Sequence, residues 1–359
     1  MKVGIITFQE TNNYGAVLQN YALQQAIIQK GHTVETIDYK SDYIGRPYRL
    51  IHLKNKGIFS YLFGLIGYLI YMPRTKKCQR FRRNVHYSRS VNSSNISELE
   101  QEYDAFITGS DQVWNYKLTG MDTVYMLDFV KDKSKCNSYA ASIGLSEIDD
   151  AKKEQYISLL NNFHYITVRE KNASVLLGSI LRKNITVVSD PCLLLSKEKW
   201  ASVAAAPHAA FKYVFVYQLG VSSDAVRLAR RIAKEQSLKL IFTPFPVGAF
   251  SFGKWDICAG NAELVGYIKN AEYIVTDSFH GTLLSIIFNK NFFTKISGTH
   301  AGVSSRIHDL LEHYELTDRI IQENIDYRKP IPYKAINKQL EADRAFAMET
   351  LDKILKVSI

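Results

Sequence analysis

The 359-residue chain lacks the common catalytic fingerprints: GxGxxG, a P-loop, HExxH and GxSxG are all absent. Their absence removes support for a nicotinamide or flavin enzyme, a P-loop phosphotransferase, a zincin and a nucleophile-elbow hydrolase. Cysteine is scarce: Cys78, Cys136, Cys192 and Cys258 are widely spaced, with no CxxC pair. That excludes zinc-ribbon spacing, gives little support to a disulfide framework and points to a reducing, cytoplasmic compartment. The opening Lys2–Phe8 reads as a strand rather than the apolar core of a signal peptide. Short repeats, low-complexity tracts and nucleic-acid modules are missing too, so nucleic acid is not an expected partner.

Acidic residues are absent from 43–97, a stretch that holds eleven Lys and Arg. The net charge of +10 is therefore local, because basic and acidic residues nearly balance elsewhere. The stretch surrounds an apolar run over 58–72, which is shorter than the ~18–20 residues needed to cross a bilayer. A helix lying on an anionic membrane surface, held by the cations of 46–89, suits its length and aromatic content. A buried helix with solvated or ligand-binding cations suits them as well.

Elsewhere short apolar runs alternate with helical spacing. Residues 2–8, 33–38, 103–108, 136–142, 165–168 and 185–188 read as strands, with helices near 15–30, 149–162 and 170–180. After a linker over 201–210, strands are expected at 213–217, 239–242 and 273–276, and helices at 223–236, 261–269 and 279–288. Residues 333–357 form a long amphipathic helix. The expected class is α/β and GT-B-like: two Rossmann-like domains with parallel sheets facing a central cleft, and a C-terminal helix packing back on the first domain. The boundaries are 1–200 with the insertion 43–97, 211–330, and 333–357. In such sheets ligands bind beyond the carboxyl ends of the strands.

Four strand ends carry candidate chemistry. After the first strand, Asn13 and Tyr14 offer ligand contacts or a helix cap. After the third, Gly109 to Trp114 offers Asp111 as a base, Gln112 as a polar contact and Trp114 as a face for a sugar ring, or else an Asx turn over a core Trp. Arg169 suits a carboxylate or phosphate, or pairs with Glu170. Thr276-Asp277-Ser278-Phe279-His280-Gly281 turns a strand into a helix. Ser278 or Asp277 caps that helix, Gly281 leaves room for an anion at exposed N–H groups, and His280 can take up a proton as phosphate binds. Lys254 and Arg306 are further cations near that helix.

These residues carry a resemblance. Asn13-Tyr-Gly-Ala-Val-Leu-Gln19, Ile107–Trp114, Ser138-Tyr-Ala-Ala-Ser142, Val168-Arg-Glu170, Ser189-Asp-Pro191 and Thr276–Gly281 resemble the polysaccharide pyruvyl transferase family. The resemblance implies phosphoenolpyruvate as donor and a sugar hydroxyl pair as acceptor. It also implies a cyclic pyruvate ketal on a capsule or exopolysaccharide unit, lipid-linked or free. Some members carry Arg where this chain has Ser278, so that duty would pass to Arg169, Arg306 or Lys254.

Ketal formation asks for an acid, a base and several cations. His280 is the expected phosphate ligand and proton donor, Arg169 and Arg306 hold the donor's anionic groups, and Asp111 or Asp277 serves as base. The chemistry calls for no metal or resident cofactor. Two rivals stand beside this reading. One is a nucleotide-sugar glycosyltransferase, for which Glu263 could hold the ribose. The other is a non-catalytic, membrane-associated scaffold.

Overall fold

The computed structural model describes residues 1–9, 13–44, 72–207, 209–220, 222–243, 253–296 and 301–356, the side chains of 255 and 301–304 excepted. The apolar run 58–72 lies outside the described residues save for Met72. The chain divides into two compact units, 1–70 with 82–195 and 343–359, and 71–81 with 196–342.

In the first unit, β1 (Lys2–Ile6), β2 (Thr33–Tyr39), β3 (Tyr87–Val91), β4 (Ala105–Thr108) and β5 (Cys136–Ser138) form one sheet in the order β3-β2-β1-β4-β5. Every neighbouring pair is parallel. Parallel strands flanked on both sides bury both faces, which is why β1 is apolar after Lys2. The helix Tyr14–Gln29 starts where the Asn13 side chain accepts from Gly15 N at 2.9 Å, and Gly31, at φ +82°, ends the turn beyond it. The strand expected over 136–142 stops at Ser138. Beyond it, bridges from Asn137 to Tyr165 and Ala141 to Val168 lead to a two-stranded sheet, β6 (Thr167–Val168) with β7 (Thr186–Val187).

Alternation along the strands divides the core. Ile6 and Phe106 pack with Trp114 and Tyr156, whereas Val3, Ile5 and Ile107 pack with Leu23 and Ile27. The second cluster also takes in Ala347, Leu351, Ile354 and Leu355 of the long helix Tyr333–Lys356. Their spacing places them on one helical stripe. Arg344 Nε donates to Leu193 O at 2.9 Å nearby. The end of this helix thus packs on the first sheet, as the sequence leads one to expect.

In the second unit, β8 (Tyr213–Tyr217), β9 (Lys239–Thr243), β10 (Lys254–Trp255), β11 (Tyr273–Thr276) and β12 (Asn291–Thr294) run β10-β9-β8-β11-β12, again all parallel. The helices Ser223–Glu235, Asn261–Asn270, Phe279–Ile287 and Ala301–His313 accompany them. A helix over 72–82 contributes its first ten residues to this unit, with Cys78 and Phe81 buried. Much of the expected linker is packed structure. Helix Lys197–Ser202 occupies its start, and Ala205 N donates to Ala262 O at 2.9 Å. The Ala205 carbonyl crosses Gly266 so closely that a Cβ there would collide with it.

In both units the strand order reverses beside the first strand, between β1 and β4 and between β8 and β11. These are the switch points at which doubly wound sheets bind ligands.

Candidate functional site

At the second unit's switch point, β11 ends at Thr276 and the chain turns into helix Phe279–Ile287. Ser278 caps the helix: its Oγ accepts from Gly281 N at 3.3 Å, and its own N–H donates to Thr276 Oγ1 at 3.1 Å. Asp277 reaches across to the loop after β8. Its oxygens accept from Leu219 N at 2.7 Å and Gly220 N at 2.8 Å. Burial raises the Asp277 carboxyl above its ordinary range, although the bonds from Leu219 and Gly220 work against the rise. Asp277 therefore ties two loops together, a role not anticipated from the sequence.

His280 lies in the first helical turn, buried, with its ring edge-on to Phe279 at 5.3 Å. The Arg306 guanidinium, also buried, sits 5.9 Å from the centre of the same Phe279 ring. Tyr217, the last residue of β8, adds a buried hydroxyl to this corner. Burial pushes its pKa up to about 12, while a hydrogen bond with Ser278 and the charge of Arg74 hold it lower than burial alone would. No sequence pattern marks Tyr217 or Arg74. Arg74 stands far away in the chain, within a run of cations that has no acidic residue beside it in sequence. The structure gives several of those cations partners: Lys77 lies 3.5 Å from Glu263, and Arg89 pairs with Glu98 at 3.0 Å and Glu102 at 3.3 Å.

Two expectations for the second unit need correction. Gly281 does not leave room for an anion: a Cβ would fall 2.6 Å from Thr276 Oγ1 and 2.9 Å from Tyr217 Cδ1, so the glycine lets the helix lie against its own sheet. Lys254 does not join His280. It opens edge strand β10, pairs in register with Ile241, and lines a separate cavity with Phe211, Lys234 and Lys239.

The first unit's switch point is built from the other motifs. Thr7 Oγ1 donates to Ser110 O at 2.8 Å and accepts from Gln19 Nε2 at 2.9 Å, joining the ends of β1 and β4. Asp111 has φ +81°, a conformation few non-glycine residues adopt, and its Oδ1 accepts from Gln112 N at 2.9 Å. Behind it, Arg169 NH1 donates to Asp190 Oδ2 at 2.7 Å and to Ser110 Oγ at 3.1 Å. Burial works against the Arg169 charge, but Asp190, Glu170 and Asp111 outweigh it, and the guanidinium pKa is raised. Glu170 Oε1 accepts from Ser142 Oγ at 2.7 Å, Ile143 N at 3.1 Å and Gly144 N at 3.2 Å. The Val168–Glu170, Ser138–Ser142 and Ser189–Pro191 motifs thus meet in one buried polar network rather than in a surface pair.

Trp114 cannot offer a ring face to a sugar. It is fully buried, its indole N–H donates to Tyr125 O at 3.0 Å, and Phe163 packs edge-on against it. Tyr14 is likewise buried, and Asn13 is exposed but serves as the helix cap. Gln112 Oε1 accepts from Asn115 Nδ2 at 2.9 Å, beside Gly144, where a Cβ would strike it. Asp111, Gln112 and Arg169 are thus gathered in the first unit; Asp277, Ser278, His280 and Arg306 are gathered in the second.

A family model described as polysaccharide pyruvyl transferase matches residues 13–295. No curated protein matches the chain. Among solved structures it is similar to the UDP-GlcNAc 2-epimerase of Methanocaldococcus jannaschii, with 13% identity over 95% of this chain and 92% of that one at a TM-score of 0.49. It is also similar to the E. coli heptosyltransferase WaaC, with 11% identity over 96% and 100% of the two chains at a TM-score of 0.42. The glycosyltransferase SnogD of Streptomyces nogalater is 12% identical over 100% of both chains, at a TM-score of 0.46.

Proposed function

The chain belongs to the polysaccharide pyruvyl transferase family and is a transferase, and on that premise we propose that it moves pyruvate from phosphoenolpyruvate onto a pair of sugar hydroxyls. The observation that carries the choice of donor is the convergence of His280 and Arg306 on Phe279 at the capped start of helix Phe279–Ile287, beside a Tyr217 hydroxyl whose pKa the charge of Arg74 lowers. Cations beside a helix N-terminus suit a small, multiply charged donor.

In this reading C3 of phosphoenolpyruvate takes a proton, and a sugar oxygen attacks the cationic C2 and loses its own proton. The C2–O bond to phosphate breaks, inorganic phosphate leaves, and the second hydroxyl closes the ketal as its proton departs. His280 binds the phosphate and supplies the proton, with Arg306 and Arg74 holding the anionic groups. Asp111 is the base expected from the first unit. The product is a pyruvylated unit of a capsule or exopolysaccharide. The cations of 46–89 other than Arg74, Lys77 and Arg89 would hold the enzyme at the anionic inner face of the membrane. Among the described residues no helix is long and apolar enough to cross a membrane.

The nucleotide-sugar reading has lost its candidate carboxylate. Glu263 Oε2 accepts from Gly260 N at 3.0 Å at the start of its own helix, and Oε1 faces Lys77. Thermal shift with phosphoenolpyruvate against a set of UDP- and GDP-sugars tests the proposal. Phosphoenolpyruvate should raise the melting temperature by a few degrees at concentrations well above its Kd. A shift with a nucleotide sugar and none with phosphoenolpyruvate would overturn it.

A further inference from the structure

The cavity that Lys254 lines in the second unit lies at the opposite end of the sheet from the His280 turn. Phe211 precedes β8 by two positions, Lys239 opens β9 and Lys254 opens β10, so the cavity sits at the amino ends of these strands. The Thr276–Gly281 turn follows the carboxyl end of β11. At about 3.3 Å per residue, the length of a strand puts about 13–16 Å between the two ends of this sheet. The cavity holds about 390 Å³, within the range of about 300–1,000 Å³ usual for small-molecule sites.

Its lining is of two kinds. Phe211, Leu238 and Leu240 give it apolar surface, and Lys234, Lys239 and Lys254 give it three ammonium groups, with no acidic side chain among the described residues that line it. The Lys239 ammonium rests over the Phe211 ring, 4.8 Å from its centre, rather than against a carboxylate. Neighbouring carboxylates are engaged elsewhere. Glu235 accepts from Arg328 Nη2 at 2.8 Å and from the Tyr327 hydroxyl at 2.7 Å. Glu272 pairs with Lys212 at 3.2 Å, and Asp256 accepts from the Tyr267 hydroxyl at 2.7 Å. Like charges gathered around a concave surface repel one another, and an anion entering between them relieves that repulsion.

We propose that this cavity binds a small phosphorylated molecule of the nucleoside diphosphate kind, its phosphates held by Lys234, Lys239 and Lys254 and its ring set against Phe211, Leu238 and Leu240. Lysines hold phosphate as point charges, and three of them match a diphosphate better than a single carboxylate. Inorganic phosphate would engage the ammonium groups and leave the apolar lining in water, and a neutral sugar would leave the charges uncompensated. The site is an effector site, separate from the His280 turn, and it stands whichever donor that turn binds.

The test is isothermal titration of the full chain with ADP, which joins a diphosphate to a planar ring, and with inorganic pyrophosphate, which lacks the ring. ADP should bind the wild type, and more tightly than pyrophosphate. The double variant Lys234→Gln with Lys239→Gln should bind ADP tenfold or more weakly. Both lysines are exposed, so its melting temperature should stay within about 2 °C of the wild type. Lys234→Glu, a single change in the last turn of helix Ser223–Glu235, should show the same loss on a second background. Phe211→Ala should weaken ADP several-fold and leave pyrophosphate unchanged, and His280→Ala should bind ADP as the wild type does.

The proposal is overturned if the wild type does not bind ADP, if either lysine variant binds it unchanged, or if pyrophosphate binds as tightly as ADP. Loss of ADP binding in His280→Ala would put the nucleotide at the other end of the sheet and overturn it as well. So would binding of phosphatidylglycerol vesicles in place of ADP, which would make the lysines a membrane contact.

Discussion

Replacing Asp190 with alanine strips the nearest carboxylate from a guanidinium that has almost no access to water, leaving Glu170 at 3.8 Å. The Arg169 and Asp190 side chains are 2% and 0% exposed, and their nearest atoms are 2.7 Å apart. At an effective dielectric of about 20, opposite charges about 4 Å apart attract by about 4 kcal/mol. Removing one member of such a buried pair costs about 3–5 kcal/mol, because the other charge stays buried. Cys192 N also loses its acceptor, Asp190 Oδ1 at 2.9 Å. Against a total stability of about 5–15 kcal/mol this is a large fraction. In a domain of about 150–250 residues each kcal/mol moves the melting temperature by about 2–4 °C, so a fall of about 6–20 °C is expected. Circular dichroism melts of wild type and Asp190→Ala measure it. The double variant Arg169→Met with Asp190→Leu removes both charges and should melt well above the single variant. A single variant that melts within about 2 °C of the wild type would refute the reasoning. Arg169 would then be available to the donor, as the sequence suggested.

His280→Ala should lower turnover by about 10²–10⁴-fold with little change in melting temperature, and an unchanged rate in a radiolabelled phosphoenolpyruvate assay would remove it from the chemistry. Gly281→Ala should be destabilising despite alanine's better helix propensity: a clash at 2.6 Å with Thr276 Oγ1 forces the helix off its sheet, an overpacking cost of about 1–3 kcal/mol visible in urea melts. A carboxyl with a raised folded pKa binds its proton more tightly when folded, so its contribution to stability falls as pH rises from its unfolded value of 3.8 through the folded one. Wild type should therefore gain stability relative to Asp277→Asn as the pH is lowered through that window and gain nothing further below it; a pH-independent difference would contradict the buried-carboxylate account.

The elements with the densest apolar pattern were legible in the sequence. Residues 213–217 and 273–276 are strands as expected, and the helices over 223–236, 261–269 and 279–288 differ from those observed by one residue at an end. Apart from β5, the edge strands were not legible. β3 is Tyr-Ser-Arg-Ser-Val, polar because only one side pairs, and β12 is a four-residue Asn-Phe-Phe-Thr that resembles a turn. In the candidate site, Ser278 was readable as a cap because capping is a local rule. Tyr217 and Arg74 were not, since one depends on the sheet order and the other on a helix distant in the chain. Trp114 misled for a related reason: an aromatic residue after a strand has the same letter whether it faces solvent or core.

The bond from Leu219 to Asp277 spans 58 positions of the chain, and that separation has a consequence for synthesis. β8 is Tyr-Val-Phe-Val-Tyr, uncharged and buried at all five positions, with β9 on one side and β11 on the other. On the ribosome β9 follows soon, but the second side of β8 stays unpaired until residues 273–276 emerge. An uncharged strand with an open edge invites pairing with another chain. Fragments ending between Thr243 and Tyr273 should therefore collect as aggregates.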